Sequence, residues 1–453
     1  MTFEQFYLGC LAHASYLLGS EGVAAVVDPQ RDVGIYLEAA ERLGLRITHI
    51  IETHLHADFV SGHRELAERT GATIYLGEGS GATFPHRAVR DGDEIAFGQC
   101  RLRFLQTPGH TLESVSVVVT DLERGPAPVA VLTGDTLFIG DVGRPDLSET
   151  KTPAELARLL YDSLRGKLLA LPDDVAVYPA HGAGSMCGRN ISADRSSTIG
   201  RERQSNYALQ PMERERFVEL LTQDLPSRPE YFQRDVDVNR RGAAALDDLP
   251  PVARLAAREV LARQRQGVTV LDTRPAAEYC AGHVPGSIAI GLGGQFASWA
   301  GSLIGLDREL ILVAEDQTAE EARMRLARVG IERVVGVLED GISGWASAGL
   351  PLAATGQISV QELHDRLGEL AVVDVRRQAE WSEGHIAGAE HLPLDRLRAG
   401  MAALDRNRPM AVHCKSGYRS LIACSLLEAG GFTQLMNVAG GFDAWRGAGL
   451  PVG

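Results

Sequence analysis

The second half of the chain repeats itself, and that repeat limits the fold more than any other feature. Asp272-Thr273-Arg274, Glu278-Tyr279 and Gly282-His283-Val284-Pro285-Gly286 return as Asp374-Val375-Arg376, Glu380-Trp381 and Gly384-His385-Ile386-Ala387-Gly388, an offset of 102 residues. Gly344-Trp345-Ala346-Ser347-Ala348-Gly349-Leu350-Pro351 returns as Ala444-Trp445-Arg446-Gly447-Ala448-Gly449-Leu450-Pro451, an offset of 100. Two copies of this length are tandem domains, because a solenoid uses shorter periods. Apolar strands such as Thr269-Val270-Leu271 and Ala371-Val372-Val373 alternate with helical stretches, so each copy reads as an α/β domain. Ser359 to Glu362 is a capping box opening the second copy. Pro226-Ser227-Arg228-Pro229 and Leu249-Pro250-Pro251 punctuate the chain ahead of the repeats. The expected domains are therefore 1–250, 251–355 and 356–453.

The first domain alternates strand and helix from Gly22 onward. Strands are predicted at Val23 to Val27, Ile47 to Glu52, Thr73 to Leu76, Arg101 to Gln106, Ser114 to Thr120, Val129 to Thr133 and Val175 to Val177. Helices are predicted at Ile35 to Leu43 and Arg64 to Thr70. Thr152-Pro153-Ala154-Glu155 opens another, with Thr as N-cap, Pro at the first helical position and Glu at the third. The pattern implies two sheets covered by helices.

Chemistry gathers at the strand ends. Thr53-His54-Leu55-His56-Ala57-Asp58-Phe59 puts two imidazoles and a carboxylate just past an apolar strand. Thr107-Pro108-Gly109-His110, Gly134-Asp135-Thr136 and Tyr178-Pro179-Ala180-His181 each follow another strand. Loops at one sheet edge can bring such residues to a single point. Imidazole nitrogen and carboxylate oxygen suit a first-row metal such as zinc or iron.

Composition narrows the function. A net charge of -14 leaves no basic surplus for phosphates, against general nucleic-acid binding. No apolar run is long enough for a membrane span. Met1-Thr2-Phe3-Glu4-Gln5 lacks the basic start of a secretory signal. The six scattered cysteines fit a reducing cytoplasm and no disulfide framework.

The first 240 or so residues resemble the metallo-β-lactamase superfamily, whose signature is His-x-His-x-Asp-His followed by a His, a bridging Asp and a last His. The resemblance implies an αββα sandwich. In the two-metal hydrolases of that superfamily, glyoxalase II among them, the His after the Asp binds the second metal. Here that position is Phe59, which favours one metal. His63, four residues on, is expected on a helix surface. Gly134-Asp135-Thr136-Leu137-Phe138-Ile139-Gly140-Asp141-Val142-Gly143-Arg144-Pro145-Asp146 resembles the persulfide dioxygenase branch. That likeness implies one Fe(II) per chain held by His54, His110 and Asp135, with His56, Asp58 and His181 near the metal. Arg144 is either a substrate-site residue of that branch or the partner of Asp141 or Asp146. Cys187 is either a thiol near the iron that passes sulfur or a buried cysteine.

Both repeats resemble rhodanese domains. The second carries a reactive loop, Cys414-Lys415-Ser416-Gly417-Tyr418-Arg419-Ser420, at a strand end before a helix. Backbone N–H groups, the helix dipole, Lys415 and Arg419 would favour an anionic sulfur and hold an anion. In the first copy Ala314 and Ala319 stand where Cys414 and Arg419 do, and Cys280 lies outside the loop, so that copy is expected to be catalytically silent. Cys424 is expected in the core.

The resemblance as a whole implies a cytoplasmic enzyme, commonly an oligomer. It would oxidise a low-molecular-weight thiol persulfide of the glutathione, coenzyme A or bacillithiol type with O₂ to sulfite. Cys414 would make or use thiosulfate. The alternative is a zinc thioester hydrolase of the glyoxalase II type fused to rhodanese.

Overall fold

The computed structural model describes residues 1–223, 225 and 228–453; Pro226 and Ser227 of the first proline-marked stretch lie outside them. The chain forms two compact units, Met1–Pro250 with Ala327–Gly330, and Pro251–Leu326 with Ile331–Gly453.

The first unit holds two six-stranded sheets. One runs in sequence order through Thr2–Leu8, His13–Ser20, Val23–Val27, Arg46–Ile51, Thr73–Gly77 and Arg87–Val89. The other runs Ser197–Thr198, Ala176–Pro179, Pro128–Gly134, Val115–Asp121, Cys100–Gln106 and Glu94–Phe97. Alternation along the strands sets the layers. Leu18, Ala25, Val27 and Ile51 pack with Leu102, Phe104, Val117 and Leu132 in the core between the sheets. Their neighbours Leu17, Ala24, Val26 and Ile50 face the other way, onto Tyr36, Ala39 and Leu66 of the helices Gly34–Leu43 and His63–Thr70. On the second sheet Val118, Val131 and Val177 meet Leu160 and Leu164 of the helix Pro153–Gly166. The result is the αββα sandwich. Strands buried on both faces read as continuous apolar runs, which is why Val23–Val27 was legible. Thr2–Leu8 is only half-buried along its whole length and carries no such signal. Thr152 caps its helix as the sequence implies, with the reciprocal bonds of a capping box.

The second unit contains two five-stranded parallel sheets. The first is ordered Arg254–Leu255, Val334–Leu338, Leu310–Val313, Thr269–Asp272, Ile288–Ala289. The second is ordered Gly356–Ile358, Leu435–Val438, Met410–His413, Ala371–Asp374, Glu390–His391. The repeated residues turn out to be the structural ones. Asp272 and Asp374 each hold the guanidinium and backbone N–H of the Arg two residues on. Arg274 and Arg376 then reach the carbonyls of Gly282 and Gly384, at 2.9 and 2.8 Å. His283 stacks on Tyr279 with ring centroids 3.8 Å apart, as His385 does on Trp381 at 3.7 Å. Trp345 and Trp445 are fully buried, and each donates from Nε1 to a proline carbonyl, Pro351 and Pro451, at 2.8 Å.

The chain's four tryptophans, Trp299, Trp345, Trp381 and Trp445, all lie in the second unit, so tryptophan fluorescence follows its unfolding alone. Trp445→Ala should destabilise that fluorescence-detected transition by about 3–5 kcal/mol, the cost of a large core cavity. Denaturant titration measures it.

Candidate functional site

The first site is built by strand direction. Cys100–Gln106 pairs antiparallel with Val115–Asp121, which pairs antiparallel with Pro128–Gly134, which runs parallel to Ala176–Pro179. Three strands therefore point one way and release His110, Asp135 and His181 at one edge. The other sheet delivers Thr53 to Phe59 from the end of Arg46–Ile51. The two edges touch where Val115 N donates to the Thr53 carbonyl at 2.8 Å. A Cβ on Gly134, whose φ is +53°, would stand 2.6 Å from Thr53 Oγ1, so only glycine permits this approach.

His54, His110 and Asp135 are buried, and one ligand-type atom of each lies within 4.8 Å of the others. His54 Nε2 is 3.8 Å and His110 Nε2 3.3 Å from Asp135 Oδ2. The opposite ring nitrogens are engaged. Thr53 Oγ1 spends its proton on Asp28 Oδ2, so it accepts from His54 Nδ1 at 3.0 Å. His110 Nδ1 donates to the Arg144 carbonyl at 3.0 Å. Both Nε2 atoms are thereby left as bare lone pairs. Among the described residues His110 Nε2 and Asp135 Oδ2 have no hydrogen-bond partner. Buried lone pairs converging without a donor are what a cation would satisfy.

Beside the trio, His181 bridges two carboxylates. Asp135 Oδ1 takes His181 Nδ1 at 2.7 Å, and His181 Nε2 is 3.0 Å from Asp58 Oδ2. Burial opposes charge on that ring, but Asp135 and Asp58 hold the His181 imidazolium well above its usual range. Burial likewise opposes the Asp135 carboxylate, yet His181 and His54 hold it well below the ordinary range. His56 turns from the trio toward Asp28 Oδ1 at 3.2 Å and Glu52 Oε2 at 3.4 Å. Burial and the neighbouring His181 push its pKa down to about 3. Phe59 is fully buried, with ring centroids 4.1 Å from His13 and 4.4 Å from His56.

His63 departs from expectation. It is completely buried, with Nδ1 3.1 Å from Glu52 Oε1. The short helix it opens lies with this end against the acid rather than against solvent. Glu52 itself is raised well above the carboxylate range by burial and by the charge of Asp28. His13, Asp28 and Glu52 belong to the site but were not anticipated. His13 Nε2 lies 2.9 Å from the Asp28 carbonyl, and its Nδ1 is buried without a partner. Ala12 and Asp28, which set this contact, both have positive φ, +54° and +53°, a conformation no residue pattern announced.

Arg144 is an ion-pair residue here: its guanidinium meets both Asp146 oxygens at 2.6 and 2.8 Å and donates to the Met186 carbonyl at 3.1 Å. Cys187 is buried, with Sγ among the ligand-type atoms beside Asp58 and His181. Burial, then the charges of Asp58 and Asp135, hold it as a thiol. Asp141 organises this loop. It accepts from Val142 N, Arg189 N and Asn190 N and from the Tyr207 hydroxyl, at 2.6–2.8 Å. Asp141→Ala strands those donors, at about 1–3 kcal/mol for each one left unpaired and buried. The variant should be cleaved faster than the parent between Gly182 and Asn190 in limited proteolysis.

The second site lies in the second unit. Cys414 follows the strand Met410–His413 and is 1 % exposed. Gly417 N donates to its Sγ at 3.1 Å, and Ser420 Oγ lies 3.5 Å away. The helix Tyr418–Ala429 starts at this loop, with Lys415 and Ser416 exposed at its mouth. Arg419 is bound through both Nη atoms to Glu380, at 2.6 and 2.7 Å. The repeat Glu278/Glu380 marked that glutamate without naming its partner. In the silent copy only Ala314 and Glu315 separate the strand Leu310–Val313 from the helix Asp316–Ala327. Four residues, Cys414 to Gly417, fill the equivalent gap in the second copy. The silent copy has therefore lost the cradle as well as the thiol. Cys424 is fully buried.

Residues 8–181 match the family model of the metallo-β-lactamase superfamily. Residues 256–348 and 359–448 each match the rhodanese-like domain. A hydroxyacylglutathione hydrolase of Rhodospirillum rubrum is 38 % identical over 162 residues, 35 % of this chain and 57 % of the relative. One of Brucella ovis is 34 % identical over 222 residues, 48 % of this chain and 80 % of the relative. The crystal structure of a metallo-β-lactamase from Staphylococcus aureus is 32 % identical with a TM-score of 0.68, spanning 75 % of this chain and 98 % of that one. The chain belongs to the metallo-β-lactamase superfamily. Behind that domain it carries two rhodanese-like domains, the second with the reactive-loop cysteine. Among the described residues no helix is long and apolar enough to cross a membrane.

Proposed function

We propose that the first unit oxidises a low-molecular-weight thiol persulfide with dioxygen, and that Cys414 handles the sulfane sulfur that accompanies it. The observation that carries this reading is the donor set. His54, His110 and Asp135 offer two imidazoles and a carboxylate from one side, while Phe59 stands where a two-metal hydrolase has a ligating nitrogen. Two imidazoles and one carboxylate with open positions are the set associated with non-haem Fe(II) oxygenases. Iron(II) held there supplies the electron transfer that dioxygen needs before it can react with sulfur. Asp135 and His110 present lone pairs, Thr53 and the Arg144 carbonyl fix both rings, and His181 with Asp58 offers a proton beside the site.

The overall chemistry balances as R–S–SH + O₂ + H₂O giving R–SH, sulfite and two protons. A second R–S–SH passes its outer sulfur to the Cys414 thiolate and leaves as R–SH; the Cys414 persulfide then yields that sulfur to sulfite, giving thiosulfate and the free Cys414 thiolate, or the transfer runs in reverse. The thiol carrier is of the glutathione, coenzyme A or bacillithiol type. Cys187 is not assigned the carrier role, because its surroundings keep it protonated. Holding both reactions on one chain keeps the sulfur intermediate at high local concentration.

The test combines metal analysis with oxygen uptake on glutathione persulfide. About one iron per chain and persulfide-dependent uptake are expected, with both lost in Asp135→Ala. Cys414→Ser should keep the uptake and release sulfite in place of thiosulfate. The names of the relatives favour a second reading, a zinc thioester hydrolase. Two zinc ions per chain with thioester turnover and no oxygen uptake would establish that reading and overturn the first.

A further inference from the structure

One face of the helix that carries the reactive loop is covered by the silent copy. Tyr418, Leu421, Ser425 and Glu428 recur at steps of three and four, which places them in a single stripe. Each meets the silent repeat. Tyr418 donates from its hydroxyl to the Gly291 carbonyl at 2.8 Å. Leu421 packs with Tyr279, Cys280 and Ala289. Ser425 Oγ accepts from Ala289 N at 3.0 Å, closing the outer edge of the strand Ile288–Ala289. The Glu428 carboxylate stands 3.0 Å from His283 Nε2. The acceptor at Gly291 is itself held on both sides. Ile290 N donates to the Asp272 carbonyl at 2.9 Å and Leu292 N to the Thr273 carbonyl at 3.1 Å. Arg325 Nη1 donates to the Leu292 carbonyl at 2.6 Å.

Tyr418 is also the residue after Gly417, whose N–H donates to Cys414 Sγ. Gly417 has φ +103°, so its own backbone gives the loop little stiffness. We propose that the silent repeat positions the reactive loop: it grips the Tyr418-Leu421-Ser425-Glu428 stripe and so keeps the Gly417 N–H aimed at the Cys414 sulfur. The silent copy has then kept its docking edge while losing its own cradle. Tyr418 is a positioning residue in this account, which rests on the reading of Cys414 as the sulfur carrier.

The experiment uses the full chain and the transfer of sulfur from thiosulfate to cyanide, giving sulfite and thiocyanate. Tyr418→Phe removes only the hydroxyl that reaches Gly291. Glu428→Gln acts ten residues along the helix, about 15 Å away, and reaches the sulfur only through the docked repeat. At neutral pH kcat/KM should fall roughly fivefold in Tyr418→Phe, the worth of one net hydrogen bond, and by a smaller factor in Glu428→Gln. Both variants should also slow the alkylation of Cys414 by iodoacetamide, which reads the sulfur itself rather than the binding of thiosulfate. The tryptophan-fluorescence unfolding curve should move in Tyr418→Phe by no more than about 1 kcal/mol, the same single bond, so that the variant stays folded under assay conditions. Alkylation of Cys414 at the parent's rate in Tyr418→Phe, or no loss of turnover in Glu428→Gln, overturns the proposal. A parent with no thiosulfate-dependent turnover instead overturns the reading of Cys414 itself.

Discussion

A single carboxylate ties the first unit's site together. Asp135 is fully enclosed, and an enclosed carboxylate is costly unless both oxygens are met. Oδ1 is met by His181, which Asp58 meets from its other side. That row of acid, imidazolium and acid carries one net negative charge and leaves Oδ2 bare between the Nε2 atoms of His54 and His110. The fold is arranged to make that convergence possible. Asp135, His110 and His181 share an edge because their strands run the same way, and His54 reaches them because the opposing sheet is in contact there. Gly134 and Gly143 admit the close approach: a Cβ on Gly143 would lie 2.0 Å from the Asp135 carbonyl. The sandwich, the glycines and the hydrogen-bonded outer nitrogens all serve one cluster of unpaired lone pairs.

The two repeats show which residues a rhodanese-like fold needs and which its chemistry needs. The Asp–Arg pair, the stacked His and the capped Trp recur in both copies with bond lengths that agree within 0.1 Å for the tryptophan and arginine contacts to carbonyls. These satisfy buried polar groups and fill the core, so losing them would cost the fold. The cradle is different. It is exposed at its mouth, and shortening it from four residues to two leaves the strand and the helix intact. The loop can therefore differ between the two copies without unfolding either, and the covered helix stripe ties the first copy to the second.

The legible part of the molecule is the part with a period or a motif. Strands buried on both faces announce themselves as apolar runs, and His54, His110, Asp135 and His181 are visible because each follows such a run. The repeat made the second unit readable almost element by element. What stayed hidden depended on partners far away in sequence. His63 sits on a short polar helix and reads as exposed, because nothing local tells that Glu52 lies beneath it. Arg419 reads as a free cation, because its partner Glu380 is 39 residues earlier. His13 lies on an early strand that was not recognised, and its pose depends on two residues with positive φ. Arg144 had two local acids to choose from, and the structure pairs it with Asp146 because Asp141 is occupied by backbone donors.

Phe59 bears on the proposed chemistry through volume as well as ligand count. A histidine there would bring a lone pair; the phenylalanine brings an apolar ring packed between His13 and His56. That ring offers neither donor nor acceptor to an ion. His181 cannot compensate, since Asp135 and Asp58 engage both of its nitrogens. His56 is drawn toward Asp28 and Glu52 instead. The aromatic residue at this position thus removes one ligating nitrogen from the cluster. An apolar ring there fits the proposed reaction, whose sulfur is soft and weakly hydrated, better than it fits a hydrolysis that needs a second metal-bound water.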